Sequence, residues 1–263
     1  MYTVLVCVVG GCRPDLIRAA RTPTLDRLIT EGAWSMEART VSPSLGLPAQ
    51  QSLLRGVDVP KHGVSNNDVR GVARPVPSLL DLMARMRRPS GAFFNWGPLR
   101  ETYAPESPTV AIAMASANED DADTALAEMA AESLIKTPCD LVYLSLDGVH
   151  CAGVRYGWGS ERQLATVSRA DEALSIVLDA LEDSDRQVTS LIVGDHGGHE
   201  FACGTALKED MTVPFLLHGL GVKAGPMNGP VSVLDAAPTL ARFLDIPAER
   251  GWDGRVVSQA VAA

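Results

Sequence analysis

Apolar residues gather in four runs of strand length: residues 2–9 (YTVLVCVV), 140–146 (DLVYLSL), 188–194 (VTSLIVG) and 212–218 (TVPFLLH). Val, Leu and Ile dominate these runs and polar residues do not alternate with them, the pattern of strands covered on both faces. Between the runs the periodicity is helical. Thr22-Pro23 opens TPTLDRLITEG with an N-cap residue and a proline at the first helical position, and Gly32 stands where such a helix stops. Further helices are expected at 77–87, 119–136, 160–184 and 232–244, with Pro238 ending or bending the first part of the last one. Strands alternating with helices predict an α/β fold, a central and mostly parallel sheet flanked by helices on both faces. No repeat, low-complexity segment or Gly/Ser linker divides residues 1–263, so a single domain is expected, with the stretch 57–76 looping over its surface.

Composition narrows the function classes. With 46% hydrophobic and 21% charged residues the chain can build a sizeable core. A formal charge of −9 leaves no basic surface to neutralise phosphates, which excludes nucleic acid as the expected partner. The first apolar run lacks a preceding basic segment and is far shorter than the ~20 residues that span a bilayer, so no membrane association is expected. Cys7, Cys12, Cys139, Cys151 and Cys203 lie far apart without a CxxC pair, which argues against a disulfide framework and for the cytoplasm. Arginine outnumbers lysine 19 to 4, a bias compatible with a GC-rich bacterial genome and, by association, with secondary metabolism.

In open α/β sheets ligands bind beyond the carboxyl ends of the strands. Those ends carry Gly10-Gly11-Cys12-Arg13-Pro14-Asp15, Asp147-Gly148-Val149-His150-Cys151 and Asp195-His196-Gly197-Gly198-His199, which brings three of the five histidines to one sheet edge. The segments VLVCVVGGCRPD (4–15), TPTLDRLITEGA (22–33), PSLGLPAQQSLLRG (43–56), KHGVSNN (61–67), NWGPLRE (95–101), YGWGS (156–160), GDHGGHEFACGTALKEDMTVPF (194–215) and VLDAAPTLARFLDIP (233–247) together resemble the alkaline phosphatase superfamily, in particular its nucleotide pyrophosphatase/phosphodiesterase-like branch. The resemblance implies that superfamily's fold and, in its members, two divalent metals, usually zinc, with a Thr or Ser nucleophile at the start of a helix.

At most positions that such members use, this chain differs. Gly10 stands for the first-strand carboxylate and Gly46 for the nucleophile, so a covalent phospho-enzyme is excluded at that residue. Counting back from Gly157-Trp158, the family's Asp-x-x-Gly-His falls on His150 and Val154; counting from the strand end makes Asp147 the carboxylate, and the two alignments stay open. The late family histidine falls on Cys203, and only Asp195 and His196 remain as in the family. The first expectation is therefore a metal-independent acid/base enzyme of lyase, cyclase or isomerase type acting on a small organic molecule. Asp195 would orient His196, and His150 would supply a second proton-transfer group. Arg13, Gly46, Gln50, Asn67, Trp96 and Cys203 would line the substrate, with Arg13 and Arg100 offering forks for a carboxylate or phosphate. One alternative is a non-catalytic protein that binds a ligand or partner. The other is a phosphoester hydrolase with a relocated single zinc on His150, Cys203 and one of Asp195, His196 or His199. Ser44 reads as an ordinary loop hydroxyl, Trp158 as core, and the acidic run 119–123 as a solvated helix start.

Overall fold

The four apolar runs become neighbours at the centre of one eight-stranded sheet. A computed structural model describes residues 2–69, 75–115 and 120–262. Its strands are β1 (Tyr2–Val9), β2 (Ala33–Arg39), β3 (Ser90–Phe94), β4 (Val110–Ala113), β5 (Leu141–Leu146), β6 (Gln187–Gly194), β7 (Thr212–Gly219) and β8 (Gly225–Pro226), in the order β4-β3-β5-β1-β6-β7-β2-β8. Only β7 runs against the others. The helices are α1 (Pro14–Ala19), α2 (Pro23–Glu31), α3 (Gly46–Arg55), α4 (Val59–His62), α5 (Leu79–Arg85), α6 (Ala122–Lys136), α7 (Gly148–Tyr156), α8 (Glu161–Glu182), α9 (Lys208–Met211) and α10 (Ala236–Phe243).

Successive side chains of a strand face opposite ways, so each central strand feeds two cores. Val4, Val6 and Val8 of β1 pack with α3, α5 and α10 through Leu53, Leu54, Leu79 and Leu240, while Leu5, Cys7 and Val9 pack with α1, α2, α6 and α8 through Leu16, Leu28, Leu126 and Leu174. Helices thus cover both faces, as the non-alternating apolar runs require. Strands β2, β3, β4 and β8 had no sequence signal of their own, being short or lying at the sheet's flanks. The expected 232–244 helix divides into a 3-10 turn (Val233–Asp235) and α10, with Pro238 in the first turn of α10, where its missing N–H costs nothing. The stretch 57–76 is less of a surface loop than expected, because α4 and the buried Val57, His62 and Val64 anchor it; residues 70–74 lie outside the described part.

Helix α2 starts where the sequence placed it, but Thr22 does not cap it with its side chain. The Asp171 carboxylate, buried in α8, accepts the Thr24 N–H (3.0 Å) and the Leu25 N–H (2.7 Å) instead. A neighbouring helix therefore satisfies the first-turn donors and ties α2 to α8. Asp171→Ala is expected to lower unfolding stability by about 1–3 kcal/mol, since the buried Leu25 N–H and the partly buried Thr24 N–H lose their acceptor. Thr22→Ala should cost less, and urea denaturation of the two variants checks the order.

Candidate functional site

The carboxyl ends of four parallel strands lie side by side. Val9 of β1 is in register with Leu146 of β5 and Gly194 of β6, so the next residues, Gly10, Asp147 and Asp195, form a row at the sheet edge, with Asn95 beyond β3. Asp195 is fully buried and accepts three hydrogen bonds, from the Gly11 N–H (2.9 Å), the His196 N–H (2.8 Å) and the Gln50 side-chain amide (2.8 Å). Gln50 can donate there because its Oε1 is fixed from the other side by the Tyr143 and Ser145 hydroxyls. The Thr40 hydroxyl donates to the Asp195 carbonyl. This network joins β1, β5, β6 and α3 at one point, and it uses Gln50, expected at the substrate, as a brace inside the wall.

His196 Nδ1 lies 2.6 Å from the Gly197 carbonyl. A carbonyl only accepts, so Nδ1 carries the proton and Nε2 is the nitrogen left with a lone pair. That Nε2 sits 3.8 Å from Asp195 Oδ1, beyond hydrogen-bond reach, so the backbone carbonyl and not the carboxylate orients the imidazole. His150, one turn into α7, sets its ring edge-on to His196 with centroids 5.0 Å apart. Its Nδ1 is buried with no hydrogen-bond partner, and burial, with the neighbouring His196, brings its pKa down to about 4. Cys203 completes the group, and the donor atoms of His150, His196 and Cys203 all lie within 4.8 Å of one another. Burial, with Asp195 nearby, pushes its thiol up to about 12.

Asp147 and His150, three residues apart at the start of α7, both line the site, so each of the two sequence alignments brings its residue there. Asp147 occupies the side-chain space of position 10: a Cβ on Gly10 would stand 2.6 Å from its Oδ1. Burial and the nearby Asp195 and Asp123 hold its pKa well above the usual carboxylate range. A Cβ on Gly46 would stand 3.0 Å from the Trp96 ring, so the indole takes the place a nucleophilic side chain would need. Gly46, Asn67, Trp96, Asp147, His150 and His196 line a cleft of about 10 Å³, room for about one water or small ion. Asn67 accepts the Leu47 N–H at the start of α3 (3.0 Å).

Other expected residues lie elsewhere. Arg13 is engaged by Asp15 and the Gly198 carbonyl, and lines a separate surface depression. Arg100 is exposed on a 3-10 turn, His199 is bonded to Asp210 (2.8 Å), and Ser44 donates to the Thr205 carbonyl. Trp158, expected as core, is half-buried with its ring 6.2 Å from His150 and 6.3 Å from His196. Asp123 is no solvated helix-start acid: it is buried, accepting from Asn95 (2.6 Å) and the Gly148 N–H, while Asn95 Oδ1 accepts the Asp147 N–H. Glu119 lies outside the described residues.

Asp210 escaped the sequence reading altogether. Buried between His199, the Thr205 N–H and the Thr205 hydroxyl, it braces the loop that carries both His196 and Cys203. The loop is tight as well as braced, since a Cβ on Gly197 would stand 1.9 Å from the Glu209 carbonyl and one on Gly198 2.0 Å from Trp158. For a metal, the described residues offer the His150, His196 and Cys203 set, two imidazoles and a thiol. They are acceptable zinc ligands in number and type. Two-ion binding does not fit, because Gly10 and Gly46 contribute no donor and their side-chain space is taken.

The sequence profile of the family described as type I phosphodiesterase / nucleotide pyrophosphatase matches residues 4–212. Among solved structures, human ectonucleotide pyrophosphatase / phosphodiesterase 5 is 15% identical with a TM-score of 0.83, covering 99% of this chain and 100% of that one. The murine protein of the same name, inactive and in complex with AMP, is 14% identical with a TM-score of 0.81, covering 95% of this chain and 96% of that one. The lipoteichoic acid synthase LtaP from Listeria monocytogenes is 17% identical with a TM-score of 0.75, covering 99% of this chain and 76% of that one. At these identities the structures establish the fold alone. No curated protein matches the sequence. No helix among the described residues is long and apolar enough to cross a membrane.

The His199–Asp210 pair makes the loop pH-sensitive in a definite direction. Its hydrogen bond to Asp210 raises the pKa of His199 above the ordinary 6.5, so that stabilisation is complete below this value and is lost as the pH rises through the folded pKa. Burial alone would raise Asp210, but hydrogen bonds from His199 and Thr205 hold it below 3.8, so its share disappears only in acid below that value. The melting temperature should fall as the pH rises from about 6.5 to 8.5, and the slope should flatten in His199→Gln, as thermal denaturation across that range measures.

Proposed function

The chain belongs to the type I phosphodiesterase / nucleotide pyrophosphatase family, and on that footing we propose that it hydrolyses phosphoesters with a single divalent metal, zinc by donor chemistry, held by His150, His196 and Cys203. One observation carries this reading: three ligand-type atoms converge within 4.8 Å beside a cleft with room for one small ion or water. Support also comes from the orientation of His196, whose Nδ1 proton is fixed on a backbone carbonyl, as a ligating histidine is oriented through its other ring nitrogen. The orphaned Nδ1 of His150 is a second sign, since a buried polar atom without a partner calls for an absent one. The AMP bound to the murine structural relative supports a phosphoester as the ligand class. Such an ion would supply Lewis-acid polarisation and acidify a water.

The chain's own residues would do the rest. The Gly46 N–H and the Asn67 side-chain NH2 would receive phosphoryl oxygens, since both residues line the cleft at the start of α3, where the helix dipole favours an anion; the Leu47 N–H is taken by Asn67 Oδ1 and Pro48 has none. Trp96 would wall the mouth against an ester group, and the buried Asp195 would keep the His196 backbone in place. Gly46 has no side chain with which to form a covalent phospho-enzyme, so attack would come from water. The proton-transfer scheme expected from the sequence loses weight, because Asp195 does not hydrogen-bond the imidazole it was to orient. We also place the protein in the cytoplasm, a reading supported by its five free cysteines.

Elemental analysis of chelator-free protein, purified without affinity metal, should give about one zinc per chain, and Cys203→Ala should lose most of it. Hydrolysis of bis(p-nitrophenyl) phosphate should fall at least about 100-fold with chelator and return with zinc. Metal-free protein that turns over a substrate through His196 would instead restore acid/base chemistry. Metal-free protein with no turnover would leave a binding role.

A further inference from the structure

On the face of α7 away from His150 lies a cavity of about 220 Å³ between α7 and α8, lined by three arginines. Arg155 comes from the last turn of α7, and Arg162 and Arg169 from one face of α8, where Thr166 stands between them. Such a concentration of positive charge is out of keeping with a chain of net charge −9.

The heads of these arginines are held in place. The guanidiniums of Arg155 and Arg162 lie over the Tyr156 ring, 5.1 and 4.8 Å from its centroid. Arg169 Nη2 donates to the Thr166 hydroxyl (2.9 Å), which itself donates to the Arg162 carbonyl (3.0 Å). Arg169 Nε is buried with no hydrogen-bond partner. Among the described residues the only carboxylate lining the cavity is Asp120, 3.9 Å from Arg169 and 82% exposed, and no carboxylate pairs with Arg155 or Arg162. Arg155 and Arg162 are exposed and Arg169 is half-buried, so an anion in the cavity would be attracted by all three and could take the free Arg169 Nε–H.

We propose that this cavity binds a phosphate dianion, free or as the phosphate group of a monoester. Forks approaching from two helices suit a tetrahedral group with oxygens pointing several ways, whereas a planar carboxylate is satisfied by one fork. The cavity is smaller than the ~300–1,000 Å³ of drug-sized sites, so it takes the phosphate group and leaves any attached moiety in solvent. The site lies on the opposite side of α7 from the cleft, and it stands whether or not the cleft holds an ion. A contact joins the two, because Cys151 lines this cavity and its Sγ lies 3.7 Å from Asp147 Oδ2.

Titration calorimetry of the full chain with inorganic phosphate, with ionic strength held constant by chloride, tests the site. In Cys203→Ala, where the cleft would hold no ion, one phosphate should bind per chain, and adding Arg162→Gln or Arg169→Gln should each weaken it at least about 10-fold. Arg162→Lys, which keeps the charge and loses the fork, should also weaken it, with an unchanged melting temperature reporting intact folding. His196→Ala and Cys203→Ala should bind phosphate at this cavity as the unaltered chain does. Glycerol phosphate binding more tightly than phosphate would identify a monoester as the ligand, and the reverse the free ion. Absent binding, binding lost in Cys203→Ala but kept in Arg162→Gln and Arg169→Gln, or malonate binding as tightly as phosphate would each overturn the proposal.

Discussion

The end of β6 is held by one buried carboxylate. Asp195 has no solvent to share its charge with, so its position is set by the three N–H groups that point at it. Each donor belongs to a different part of the molecule: Gly11 to the turn after β1, His196 to its own strand end, Gln50 to α3. A buried charge left short of even one such donor would cost several kcal/mol. The carboxylate therefore fixes the spacing of two strand ends and a helix at once, and Tyr143 and Ser145 extend the constraint to β5 by determining which way the Gln50 amide points.

Around that fixed point the cleft is packed by the neighbours of its glycines. Where glycines stand at positions 10 and 46, Asp147 and Trp96 take up the space. The sequence shows the glycines as deletions, while the structure shows neighbours whose side chains depend on them. Position 150 offers an imidazole and position 203 a thiol, and both face His196. The candidate donors are thus soft, uncharged atoms on one side of the cleft, while the carboxylates on the other are tied up elsewhere: Asp195 and Asp123 accept from backbone N–H groups and the Gln50 and Asn95 amides, and Asp147 faces the Cys151 thiol.

How much of this was legible depended on distance along the chain. Strands β1, β5, β6 and β7 declared themselves because they are buried on both faces and so nearly free of polar residues. The five-residue β3 and the flanking β2, β4 and β8 carry no comparable run. At the site, Asp195, His196, His150 and Cys203 could be named because each follows an apolar run or a glycine-marked motif. The roles of Gln50, Asp123, Asp171 and Asp210 could not be. Their partners lie 145, 28, 146 and 11 residues away, and a lone Asp or Gln carries no mark of what it will meet. The assumption that an Asp preceding a His orients its ring failed for a local reason: the Gly197 carbonyl is nearer.

Gly197 and Gly198 have a consequence for how such a protein can change over generations. Neither tolerates a single added carbon, since one faces the Glu209 carbonyl and the other the Trp158 ring. The segment that presents His196 is therefore closed to drift, whereas His150 and Cys203 are only partly buried beside it. Inheritance has a rigid frame and two less confined side chains to work with, so a new donor can be tried at 150 or 203 without renegotiating the backbone, whereas a side chain at 10 or 46 must first displace Asp147 or Trp96.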